Sequence, residues 1–164
     1  MKIYAISDTH FGHKKLVEYG RPEGFSEIIL KNLQNRSGDL LIHFGDFCIG
    51  GNVDNHTAFM EAAKGFKNKV LVRGNHDPQS DKWYYEHGWD FVCERFENTY
   101  FGKRYVFTHI PIPEDKEFYK NIHGHMHGNS HRDVELGGER SLTNWHFDLA
   151  PEIRMYGPVN LEMI

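Results

Sequence analysis

Five times in this chain a short apolar run stops at an aspartate, an asparagine or a histidine. Lys2 to Ser7 (KIYAIS) ends at Asp8, with His10 close behind, and Asp39 to Phe44 (DLLIHF) ends at Gly45-Asp46. Lys69 to Arg73 (KVLVR) runs into Gly74-Asn75-His76-Asp77. Arg104 to Thr108 (RYVFT) stops at His109, and Asn121-Ile122-His123 is followed by Gly124, His125 and His127. In open α/β sheets ligands collect in the crevice outside the carboxyl ends of the strands. A core needs none of these polar groups, and burying several of them unpaired is costly. The pattern therefore calls for a fold that gathers five strand ends into one place.

The segments between fit that demand. Ser26 to Asn35 (SEIILKNLQN) predicts a helix with Ser26 as its N-cap. Asp54 to Lys64 predicts a second, capped by Asp54 or Asn52 and stopped by Gly65. Ser80 to His87 reads as a short third helix, closed by Gly88. In the second half, Trp89 to Glu94, Asn98 to Phe101 and Arg104 to Thr108 read as strands, with Gly102-Lys103 turning a hairpin. Ser141 to Leu149 and Val159 to Met163 are expected as closing strands. Helices alternating with strands early, and hairpins later, predict a mixed α/β sandwich. At 164 residues without repeat or linker, residues 1–164 are expected to form a single domain with no cap domain.

Chemistry narrows what the strand ends hold. Asp8, His10, Asp46, Asn75, His109, His125 and His127 offer oxygen and imidazole without cysteine, which suits Mn, Fe, Zn or Ni. Seven ligands exceed one tetrahedral zinc and suit two ions sharing a carboxylate, for which Asp46 is the natural bridge. The glycines of the HGHMHG run let the backbone approach such ions closely.

The series DTH, GD, GNHD, TH and GHMH, in this order, resembles the calcineurin-like metallophosphoesterase family from Asp8 to the closing strands. The resemblance implies a four-layer α-β-β-α fold, two mixed β-sheets packed as a sandwich and flanked by helices. It implies a dinuclear phosphoester hydrolase with a metal-bridging hydroxide as nucleophile. Asp8, His10 and His127 would bind one metal, Asn75, His109 and His125 the other, and Asp46 would bridge them. Two divalent ions are expected, Mn2+ first, with Fe, Zn, Ni or Mg as alternatives. His76 would contact the phosphate and protonate the leaving oxygen, with Asp77 orienting its imidazole. Some members of this fold lack that histidine and act as protein-interaction scaffolds; its presence here favours an enzyme.

Beyond the motifs, Arg21 in the loop YGRPEGF is a candidate to fork onto a phosphate oxygen, and Arg132 has a weaker claim. His13, just past DTH, is a candidate substrate contact or a solvated loop histidine. His43 and His123 alternate with apolar neighbours and read as packed residues; His56, His87, His131 and His146 read as surface or structural. Cys48 reads as a small buried side chain, and Phe11, Phe47 and Tyr19 as core or pocket wall. The expected substrate is a small phosphodiester or phosphomonoester, nucleotide-like ones included. A net charge of −4 gives no support for a broad nucleic-acid face, and Glu114, Asp115 and Glu117 would repel a long polyanion. A nuclease acting on DNA or RNA ends is the enzymatic alternative, and a scaffold the non-enzymatic one. Two cysteines, no leader-like start and no long apolar run point to a cytoplasmic protein without a membrane partner. The oligomeric state is left open.

Overall fold

A computed structural model describes residues 1–48, 52–128 and 142–164. Among the described residues, nine strands form two mixed sheets. In chain order they are β1 (Ile3–Ile6), β2 (Gly38–His43), β3 (Phe66–Val72), β4 (Phe91–Cys93), β5 (Arg95–Tyr100), β6 (Lys103–Thr108), β7 (Lys120–His123), β8 (His146–Asp148) and β9 (Val159–Asn160). The first sheet has the order β4-β3-β2-β1-β9, parallel except for the antiparallel edge strand β9. The second has the order β5-β6-β7-β8, with an antiparallel β5–β6 hairpin and parallel pairs beyond it. Only Glu94 separates β4 in one sheet from β5 in the other.

Side-chain alternation builds the layers. Ile3 and Ala5 of β1 join Ile42, Val72, Tyr105, Phe107 and Ile122 in a core between the two sheets. Tyr4, Ile6, Leu41 and Leu71 point the other way and meet the helices. These are α1 (Phe25–Gln34), α2 (Val53–Ala62) and α3 (Asp81–Glu86). Helix α1 buries Phe25, Ile29 and Leu33, a four-residue spacing that puts all three on one face. Each such fully buried side chain contributes about 1.5–3 kcal/mol relative to exposure. The outer face of the second sheet is closed by Val106, Phe118 and Trp145.

Local expectations were corrected in three places. Helix α1 starts at Phe25 behind Gly24, which takes φ 71°, so Ser26 lies inside the first turn and caps nothing. Asn52 and Ser80 do cap α2 and α3, accepting from the amides of Asn55 and Trp83. The closing strands shrink: β8 covers only His146–Asp148, and β9 gives way after two residues to a 3-10 turn, Leu161–Met163. Residues 129–141, with His131 and Arg132, lie outside the described residues. Among the described residues, no helix is long and apolar enough to cross a membrane.

Candidate metal centre

The carboxyl ends of β1, β2, β3, β6 and β7 deliver the seven candidate ligands to one crevice. Asp8, His10 and His127 place donor atoms within 4.8 Å of one another, and so do Asp46, His109 and His125. Asp46 joins the two groups: its Oδ2 lies 3.5 Å from Nε2 of His10 and 3.5 Å from Nε2 of His109. Asn75 is on the His109 side, with Oδ1 3.0 Å from Nε2 of that ring. His109 anchors its other nitrogen by donating from Nδ1 to the Phe44 carbonyl, 2.6 Å away. The rings of His10 and His127 stack with centroids 5.2 Å apart.

The backbone at this crevice is unusual. Eight non-glycine described residues take positive φ, and five of them are Asp8, His10, Asp46, His125 and His127. Such conformations cost about 1–3 kcal/mol each and persist only where the surroundings impose them. Two glycines allow the loops to close on each other. A Cβ at Gly74 would collide with the amide and carboxylate of Asp46, and one at Gly124 with Ser7 and Asp8. The His125 amide then donates to Asp8 Oδ2 at 2.9 Å, tying the GHMH turn to β1.

The donor set fits a divalent cation. It is all oxygen and imidazole, and Asp8 Oδ1, buried without a hydrogen-bond partner, faces Nε2 of His127 at 3.6 Å. Asp46 and His109 polarise each other. Burial raises the Asp46 carboxyl, but His109, His10 and the His76 amide outweigh it and hold the group well below the usual range. Burial lowers His109, yet Asp46 and Asp8 bring it up to about 9. His10 goes the other way, to about 3, because its burial outweighs the pull of Asp46.

His76 is exposed at the rim, its ring 5.7 Å from that of His10, and its amide donates to Asp46 Oδ1 at 2.8 Å. His13 is half-buried, 5.9 Å ring to ring from His10. Two expected roles are corrected. Asp77 does not reach the His76 imidazole: its Oδ2 accepts from the amides of Asp46 and Gly74, both 2.8 Å, and its Oδ1 from Phe47, 2.9 Å. Burial pushes this carboxyl up, against the pull of those amides. It therefore rivets the GD loop to the GNHD loop. Arg21 does not face the crevice. It is 3% exposed, and donates to the carbonyls of Asp8 at 2.7 Å and Thr9 at 3.1 Å and to Glu152 at 2.8 Å.

Glu152, absent from the sequence reading, sits behind the ligands with Oε1 3.1 Å from Nδ1 of His127. Burial would raise its carboxyl, but His127 and Arg21 bring it down to about 2. Only its neighbour Pro151 marks the position in the sequence. Cys48, Phe11 and Phe47 are buried in the core beneath the crevice, and Tyr19 is exposed. His43 is packed with both ring nitrogens engaged, by Gly45 and Thr9.

The chain and its fold are similar to those of other proteins. A protein of Methanocaldococcus jannaschii described as uncharacterized is 31% identical over 178 residues, covering 99% of this chain and 89% of its own. The crystal structure of a protein of unknown function from Aquifex aeolicus superposes with a TM-score of 0.75 at 26% identity, over 99% of this chain and 96% of that one. The Pseudomonas putida nuclease MPE shares the fold at 21% identity and a TM-score of 0.53, over 76% of this chain and 61% of its own. The family model for calcineurin-like phosphoesterases matches residues 1–157, the span that carries every motif on the crevice. With the five strand-end motifs converging and that model matched nearly end to end, the chain belongs to the calcineurin-like phosphoesterase family.

Proposed function

We propose that this chain is a dinuclear metal-dependent hydrolase of small phosphoesters, with diesters preferred. The observation that carries the reading is Asp46 Oδ2, equidistant at 3.5 Å from a histidine of each ligand group. Asp8, His10 and His127 would hold one ion, Asn75, His109 and His125 the other, and Asp46 both. Such a pair, Mn2+ first among candidates, would supply Lewis acidity toward the phosphoryl oxygens and a nucleophile at neutral pH.

The chain's own residues do the rest. His76, exposed and fixed through its amide to Asp46, would contact a phosphoryl oxygen and protonate the leaving oxygen. Asp77 holds the two loops that carry Asp46 and His76 in register, so its effect on catalysis is indirect. Two cavities open near the crevice. One of about 330 Å³ has the candidate ligands Asn75 and His109 in its wall. The other, of about 550 Å³, contains no candidate ligand, has Glu23 and Glu27 in its wall, and adjoins the crevice through His13, whose ring is 5.9 Å from that of His10. Room in both would suit the two substituents of a diester.

The nuclease reading draws on the fold shared with the Pseudomonas putida nuclease. A chromogenic bis-ester, its mono-ester and a labelled oligonucleotide, each tested with Mn2+ alongside elemental analysis, separate the cases. Two metals per chain and fastest turnover of the bis-ester are expected. Faster cleavage of the oligonucleotide would transfer the assignment to a nuclease. Inactivity on all three at full metal loading would end the enzymatic reading.

A further inference from the structure

Buried Arg21 and half-buried Glu152 form an ion pair directly behind the candidate ligands. Glu152 belongs to a 3-10 turn, Pro151–Ile153, that follows β8. That turn is itself fixed: Asp148 accepts from the Ala150 amide at 2.9 Å and from Gly128 at 3.1 Å, and Arg154 donates to the Asp148 carbonyl at 2.8 Å. From this platform one oxygen, Oε1, receives Nε of Arg21 at 2.8 Å and lies 3.1 Å from Nδ1 of His127. The same guanidinium holds the carbonyls of Asp8 and Thr9. Residues from the two ends of the chain thus converge on a single ligand loop and a single imidazole.

Nδ1 of His127 has two neighbours that ask opposite things of it. Donation to Glu152 requires a proton on Nδ1, whereas acceptance from the Arg21 terminal nitrogen, 3.4 Å away, requires a lone pair there. The carboxylate contact is shorter and pairs a donor with an anion, which makes it the stronger of the two. A proton on Nδ1 leaves the lone pair on Nε2, the nitrogen that faces Asp8 Oδ1 at 3.6 Å. The opposite tautomer would point an N–H at the ligand cradle.

We infer that Glu152, held by Arg21, is a positioning residue that sets the tautomer and orientation of His127 and so controls the affinity of the Asp8–His10–His127 metal site. This rests on the reading that those three residues bind an ion. Outer carboxylates of this kind change metal affinity by roughly ten- to a hundredfold when removed. The Asp46–His109–His125 site is expected to stay within about twofold, because Glu152 touches none of its members.

The test is calorimetric titration of Mn2+ into the chelator-stripped full chain, as wild type, Glu152→Ala and Glu152→Gln, with thermal unfolding of each. Long-range ¹⁵N correlation spectra of the wild type assign the His127 tautomer, using His127→Asn to identify its signals. Support is a wild type with two sites, a Glu152→Ala protein in which one site weakens by roughly ten- to a hundredfold, partial recovery in Glu152→Gln, whose amide oxygen can still accept from Nδ1, and a proton on Nδ1. Two unchanged sites in Glu152→Ala, equal weakening of both, or a proton on Nε2 in the wild type would each overturn the inference while leaving the metal reading intact. If Glu152→Ala does not fold, the wild-type tautomer decides alone. A wild type that binds no Mn2+ would instead remove the metal reading on which the inference stands.

Discussion

His43 and His109 are both buried, at 0% and 3% exposure, yet one belongs to the core and the other to the crevice. His43 lies within β2, where Nδ1 accepts from the Gly45 amide at 3.1 Å and Nε2 meets the Thr9 hydroxyl at 3.0 Å. Both nitrogens are engaged within the fold, and the ring is neutral, driven to about 3 chiefly by burial. His109 follows β6, gives Nδ1 to a backbone carbonyl and turns Nε2 toward Asp46 and Asn75. Burial does not separate a packing histidine from a candidate ligand. What separates these two is where the second nitrogen points, and whether a carboxylate meets it.

The sharpest way to break that contrast is to remove the carboxylate. In Asp46→Asn, turnover should fall to background and metal content below two per chain, because on the proposed reading several kcal/mol of transition-state stabilisation would depend on the ions that Asp46 would bridge. Retention of both metals, measured by elemental analysis, would count against the bridge. His76→Ala should do something different, since its imidazole stands at the rim of the crevice. Both metals should remain while kcat falls by about two to four orders of magnitude. Full activity in that variant would dismiss His76 as the acid.

A gentler probe uses pH on protein stripped of metal. Burial holds His10, His43 and His123 at about 3 and His56 at about 4, whereas an unfolded chain binds those protons near the ordinary histidine value of 6.5. The unfolded state therefore takes up more protons below that value, and stability falls as the pH drops, by about 1.4 kcal/mol per pH unit for each such group. His109 has the opposite sign. Its folded value is raised to about 9, so its contribution is complete below 6.5 and is lost as pH rises toward 9. Urea midpoints across this range should pass through a maximum near neutrality. A midpoint unchanged between pH 7 and 5 would contradict the assignment of neutral buried rings.

The site was legible to the extent that its chemistry is anomalous in a core. Asp8, Asp46, Asn75 and His109 each stand where an apolar strand stops, and this alone marks them. The supports were not legible, because a charged residue's partner is chosen in space. Asp77, adjacent to His76 in the chain, holds the amides of Asp46 and Phe47 instead. Arg21 looked like a loop arginine open to substrate, but its partner Glu152 is 131 positions away. In the fold, β1, β2 and β3 showed clearly as short apolar runs. The closing strands did not, because β9 has only two residues, and nothing local distinguishes so short an edge from a turn.

From its order of residues alone, this protein is committed to strands that end in carboxylate, amide and imidazole groups, which an apolar core has no use for. Which of those groups meet, and in what state, was decided by the packing of the two sheets. That packing brings Asp46 to 3.5 Å from two histidines and forces five candidate ligand residues into left-handed backbone. The physical reason is range. Hydrophobic alternation acts between neighbours along the chain and can be read there, whereas hydrogen-bond partners, ionisation and backbone strain arise from contacts between distant segments that exist only once the chain has folded.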